Sequence, residues 1–183
     1  AVAACPICMA KASRVSMRRY LGWLSVSLLV IVSDQISKFA ITHSMSFGQS
    51  IEIAPFFDLV LVYNPGAAFS FLAHHDGWQR WLFTLLALAV SAWLAVLLRR
   101  HSAERLLPLA FALIIGGALG NVIDRILFGA VIDFLYFHLG RHGFPAFNVA
   151  DSAISVGVAL MLFEQFVASP HHVGDKRVKE TTQ

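Results

Sequence analysis

The sequence predicts an all-α membrane protein: four transmembrane helices, both termini in the cytoplasm, and a small β-rich loop domain on the outer side. Composition is the first observation behind this. Of 183 residues, 57% are hydrophobic and 14% charged, with mean hydropathy +0.68, a balance suited to lipid rather than water. Length is the second. Stretches at 20–42, 78–98, 106–128 and 149–168 each supply the roughly 20 mainly apolar residues that a spanning helix needs. The third is charge segregation. Lys11, Arg14, Arg18 and Arg19 precede the first stretch, Arg99, Arg100 and Arg105 separate the second from the third, and Lys176, Arg177 and Lys179 follow the fourth, whereas 43–77 holds no Lys or Arg. The positive-inside rule then puts both termini and 99–105 in the cytoplasm, with 43–77 and 129–147 on the other side. The formal charge of +3 is therefore no nucleic-acid signal, because no base-stacking aromatics interleave these cations.

Residues 1–16 read as an N-terminal extension carrying a lone "CPIC" (Cys5, Cys8), half a zinc site at most. The basic "MRRY" from Met17 leads into an apolar run with no small-residue cleavage site, which fits a retained first span. The membrane domain is then 17–170, and 171–183 is a polar cytoplasmic tail. The first span ends in "SDQISK", where Asp34 and Lys38 are i, i+4 neighbours with the acid first. They form either an interfacial ion pair or a pair that orients a polar site.

The connection 43–77 is too long to be only a linker. Its "SIEIAPFFDLVLVYN", broken by Pro55 and followed by the turn residues "NPG" at 64–66, predicts a hairpin or small sheet. Phe56, Phe57, Phe69 and Phe71 would anchor it at the lipid surface, and its free edge could take an extended peptide. The third span contains Pro108 and "GGALG", with Gly116 and Gly120 spaced for close helix approach. Gly117, Asn121, Asp124 and Arg125 share one face of that helix. In the fourth, Asn148 is a suitable N-cap and Asp151 falls at N3, near the positive helix end.

Acids at membrane depth tend to mark function. Asp124, beside Arg125 and one turn from Asn121, suits a structural ion pair. Asp133 stands in "GAVIDFLYF" with no Lys or Arg in the seven residues that follow, so burial would raise its pKa. Asp151 at a helix start would be pushed the other way. Two carboxyls separated in this manner can share one proton and activate water, and they flank the short connection 134–150. Capping and ion pairing explain the same residues about as well. A thiol mechanism has no cysteine after residue 8, no G-x-S-x-G is present, and "HLGRH" (His138, His142) lacks the glutamate of a zincin helix and reads as loop, as does His74–His75.

Five motifs in order resemble those of the bacterial lipoprotein signal peptidases, signal peptidase II: "DQISK" (34–38), "NPGAAFSF" (64–71), "GGALGNVIDR" (116–125), "VIDF" (131–134) and "FNVADS" (147–152). The resemblance covers about 17–170; the N-terminal extension is its one departure. It implies an aspartic endopeptidase, a multi-pass protein of the bacterial inner membrane, that cleaves diacylglyceryl-modified prolipoproteins before the lipidated cysteine. It assigns catalysis to Asp133 and Asp151 and supporting roles to Asp34, Lys38, Asn64, Asn121, Asp124, Arg125 and Asn148. It also implies no cofactor and no metal, sensitivity to globomycin, membrane lipid as a partner, and a monomer. The main rival from another class is a transporter or proton pathway, since membrane carboxylates also mark ion routes. A third reading is a scaffold in which Asp151 caps a helix and Asp124 pairs with Arg125.

Overall fold

The computed structural model describes residues 6–66, 77–140 and 142–168, with side chains from Met17 to Val167. The side chains of Cys5 and Cys8, residues 67–71 of the second motif (with Phe69 and Phe71), His74, His75, Asp76 and the 171–183 tail lie outside the described residues. The chain runs α1 (Pro6–Ser44), β1 (Ser50–Ala54), β2 (Phe57–Asn64), α2 (Trp78–Arg100), α3 (Leu106–Phe128), β3 (Val131–Leu139), β4 (His142–Gly143) and α4 (Val149–Ala168). All four helices contain a segment long and apolar enough to cross a membrane.

Helix α3 is the centre of the bundle. Its apolar segment is 67% buried, against 11–22% for the other three, so α1, α2 and α4 pack around it and turn apolar flanks outward. Leu29 and Phe39 of α1, Leu85 and Trp93 of α2, and Phe163 and Phe166 of α4 are exposed, the arrangement expected of helices solvated by lipid. Pro108 lies in the first turn of α3, where a missing N–H costs no helical bond. The helix ends at Gly129 in the left-handed conformation (φ 79°), with its N–H donating to the Arg125 carbonyl. Arg80 Nη2 donates to the nearby Ile126 carbonyl at 3.0 Å, satisfying another acceptor of the last turn.

The small residues of α3 set how closely its neighbours approach. Gly116 faces the Ser27 carbonyl and Val30 of α1, and Gly117 lies directly under the Ala150 carbonyl and Ile154 of α4. Gly120 leaves room for the Asp34 carboxylate, whose oxygen would sit 2.8 Å from an added Cβ. Between α1 and α3, Ser27 Oγ donates to the Ala112 carbonyl at 2.8 Å.

The strands form one antiparallel sheet in the order β1-β2-β3-β4. The predicted hairpin forms as β1 and β2 on either side of Pro55. The connection expected as a loop after Asp133 instead supplies β3, which pairs along β2 and turns through β4. His138 and His142 thus sit in strands, not in a loop. The first four residues of β3 are buried, so this strand is greasy on both faces and shows no alternation to betray it. Between Leu59 and Val62 the β2 register slips beside Asp133, a bulge of the kind that re-aims a neighbouring side chain. Phe147 then bridges Leu135 through bonds of 2.8 and 3.0 Å, which delivers Asn148 next to β3.

The glycine contacts give a stability test. Gly117→Ala places a methyl group against α4 backbone and should destabilise the bundle by about 1–3 kcal/mol. Gly22→Ala in α1 meets nothing within 4 Å and should be neutral or slightly stabilising. Thermal unfolding of both variants in detergent checks the contrast.

Candidate active site

The polar centre begins with Lys38. Its ammonium is 2% exposed and donates to Asp34 Oδ2 at 2.7 Å, Asp124 Oδ2 at 2.7 Å and Asn121 Oδ1 at 3.1 Å. Three donors meet three acceptors, so the buried charge is satisfied. Asp34 and Lys38 thus form an ion pair buried in the polar centre, and the partner of Asp124 is Lys38 rather than Arg125. The i, i+4 spacing on α1 and the room at Gly120 bring a cation between two helices, a result that adjacency along α3 could not foretell.

Both carboxylates then reach beyond the cation. Asp34 Oδ1 accepts from the Ala150 N–H at 2.9 Å, holding the first turn of α4. Asp124 Oδ2 accepts from the Ile132 N–H at 3.1 Å, holding the start of β3. Ala150 and Ile132 immediately precede Asp151 and Asp133. Gln35 completes the arrangement by donating to Asp124 Oδ1 at 2.9 Å and the Gly120 carbonyl at 3.3 Å. Gln35 stands inside the "DQISK" motif but was given no role from the sequence; its signal is an amide next to an acid in an apolar span.

Asparagines link this hub to the two remaining acids. Asn148 caps α4 as expected, its Oδ1 accepting from the Asp151 N–H at 2.9 Å. Its Nδ2 donates to Asp133 Oδ1 at 2.8 Å, to the Ile132 carbonyl at 3.2 Å and to Asn121 Oδ1 at 3.2 Å. Asn121 Nδ2 donates to Asp151 Oδ1 at 2.7 Å. Asn64 pairs across from Val131, and its Nδ2 donates diagonally to Asp133 Oδ2 at 3.0 Å. Its Oδ1 meanwhile accepts from the Gly66 N–H at 3.0 Å and fixes the turn.

Asp133 and Asp151 therefore belong to one network and act on each other electrostatically. Burial is the main cause that pushes Asp133 up to about 7; the Asn64 hydrogen bond opposes it and the charge of Asp151 adds to it. Asp151 is only half-buried, so the pair opens to one side. Arg125 lies along the same rim. One of its terminal nitrogens donates to the Asn121 carbonyl at 3.4 Å, its guanidinium lies 5.6 Å from the Phe83 ring centre, and its buried Nε has no partner among the described residues. All of the sequence-predicted residues, Asp34, Lys38, Asn64, Asn121, Asp124, Arg125, Asp133, Asn148 and Asp151, come together at this one end of the bundle. His138 lies apart, with Nε2 bonded to Asp58 at 3.1 Å.

Two outcomes test this geometry. Lys38→Met leaves Asp34 and Asp124 facing each other without a cation and should cost about 3–5 kcal/mol in thermal unfolding. Asp133 holds its proton in the folded chain up to about 7, whereas the unfolded chain releases it near 3.8, so its stabilising contribution is complete below that value and is lost as pH rises to 7. Asp133→Asn escapes the loss. Its stability relative to the unsubstituted protein should be flat below pH 4 and gain up to roughly 4 kcal/mol by pH 8, read from melting curves across that range.

The chain is 59% identical over 151 residues to the "Lipoprotein signal peptidase" of Azoarcus sp. (strain BH72), covering 82% of this chain and 86% of that one. It is 55% identical over 143 residues to the protein of that name from Paraburkholderia phymatum, covering 78% and 86%. A bacterial membrane enzyme solved by the in meso method at 2.3 Å superposes with TM-score 0.72 at 29% identity, covering 86% of this chain and 94% of that chain. The family model described as "Signal peptidase (SPase) II" matches residues 26–167, and the chain belongs to that family.

Proposed function

We propose that this protein is an intramembrane aspartic endopeptidase that removes signal peptides from diacylglyceryl-modified prolipoproteins, cutting before the lipidated cysteine. The observation that carries the reading is the single asparagine, Asn148, that holds Asp133 through its amide nitrogen and the start of the Asp151 helix through its oxygen. Family membership and the name borne by the relatives support the substrate class.

In this reading Asp133 holds the proton of the pair. Asp151 takes a proton from water as the oxygen attacks the scissile carbonyl, and Asp133 gives its proton to the carbonyl oxygen. In the second half, Asp151 passes its proton to the leaving amine while Asp133 recovers one from the collapsing gem-diol, restoring both groups. Arg125 and Asn64 position the peptide at the open side of the pair. The acyl chains enter laterally between the lipid-facing helices, and low local polarity strengthens each contact. Both termini lie in the cytoplasm, the sheet lies on the periplasmic side, and the protein works as a monomer in the inner membrane without metal or organic cofactor. Globomycin would occupy the same site.

In vitro cleavage of a diacylglyceryl-modified precursor, run beside the same precursor with an unmodified cysteine, is the decisive assay. Only the lipidated form should be cut. Asp133→Asn and Asp151→Asn should each reduce cleavage by roughly 10²–10⁴-fold while the protein still folds. The rate should also decline as pH rises through about 7, where Asp133 loses its proton. Equal cutting of both precursors, or full activity in either variant, rules the proposal out.

A further inference from the structure

A second site lies at the far end of the bundle. Arg105, which precedes the first residue of α3, is 19 residues from Asp124, so about 28 Å along the helix axis separates this end from the carboxylates, close to the thickness of a hydrocarbon core. Here α1 and the α2–α3 connection border an open groove of about 370 Å³ lined by Arg19, Gly22, Trp23, Val26 and residues 102–105. That size falls within the roughly 300–1,000 Å³ of small-ligand sites.

Its lining is divided. One wall is apolar, formed by Val26 and the Trp23 ring, which is pinned by a bond from its indole nitrogen to the Ser102 carbonyl at 3.3 Å. Gly22 leaves that wall open, since an added Cβ there would meet nothing within 4 Å. The rim carries Arg19 and Arg105, neither of which forms an ion pair among the described residues. The one acid, Glu104, is engaged by His101 Nδ1 at 2.8 Å. Two guanidiniums beside a single carboxylate leave the rim net positive above an apolar slot, and with an indole at the polar boundary this matches a phosphodiester headgroup continuous with an acyl chain. A free anion would satisfy the cations but leave the slot empty.

We infer that this groove is a binding site for one anionic phospholipid of the leaflet opposite the carboxylates, with its phosphate between Arg19 and Arg105 and its chain along Gly22, Trp23 and Val26. The inference rests on membrane insertion alone and is independent of the peptidase chemistry. Because the groove joins α1 to the α2–α3 connection, the lipid would act as a clasp between them.

The test is native mass spectrometry of the full chain in detergent, titrated with phosphatidylglycerol, with phosphatidylcholine, or with phosphatidylglycerol plus excess inorganic phosphate. One saturable phosphatidylglycerol should be retained in preference to phosphatidylcholine, and inorganic phosphate should not displace it. Arg19→Gln with Arg105→Gln should weaken retention roughly thirtyfold, from the loss of two membrane-facing cations. Gly22→Leu, which changes no charge and fills the slot, should also abolish the saturable site. Circular dichroism and precursor cleavage in phosphatidylcholine micelles should stay unchanged in both variants, separating lost binding from misfolding. Equal retention of the two lipids, displacement by inorganic phosphate, or unaltered binding in either variant overturns the inference.

Discussion

The buried ammonium of Lys38 is the interaction from which the site is assembled. It is shared by two carboxylates and an amide oxygen contributed by α1 and α3. Each carboxylate also accepts from Gln35 and from a backbone N–H, one at the start of β3 and one in the first turn of α4. A single cation thereby fixes the two segments that carry Asp133 and Asp151. Without it, two like charges would oppose each other in a region where even one is expensive.

The rest of the fold makes that arrangement possible. Small residues on α3 let α1 and α4 approach until Asp34 can touch both Lys38 and Ala150. The sheet contributes Asp133 and Asn64 from neighbouring strands, while the helices contribute Asn121, Asn148 and Asp151. The two carboxyl groups accordingly stand in different settings, one held within sheet and helices, the other at a half-open helix start. Burial in the first of these settings is the main cause of the raised proton affinity of Asp133.

Much of this was readable from the chain, and the unread parts have definite causes. Spans were legible because lipid demands length and apolarity, and the Asn148 cap because its chemistry is local. The β1–β2 hairpin was legible through Pro55 and the flanking β-branched residues. Strand β3 was not, since a strand covered on both faces loses its alternation, and Asp133 looked like a residue at a loop margin. The partner of Asp124 was misread because sequence shows Arg125 beside it but cannot show Lys38 arriving from another helix. Motif resemblance pointed to the polar residues that meet and included Gln35 in "DQISK", but the contacts of Gln35 and of the two backbone donors became apparent only with the fold.

The dependence on Ala150 and Asn148 bears on how the protein matures. Ribosomal synthesis delivers Asn148 and Ala150 after α1, α3 and the strands. Until they emerge, Asp34 lacks its amide donor and Asp133 lacks the asparagine that joins it to Asp151. A nascent chain therefore closes its polar network only once the start of α4 has been made.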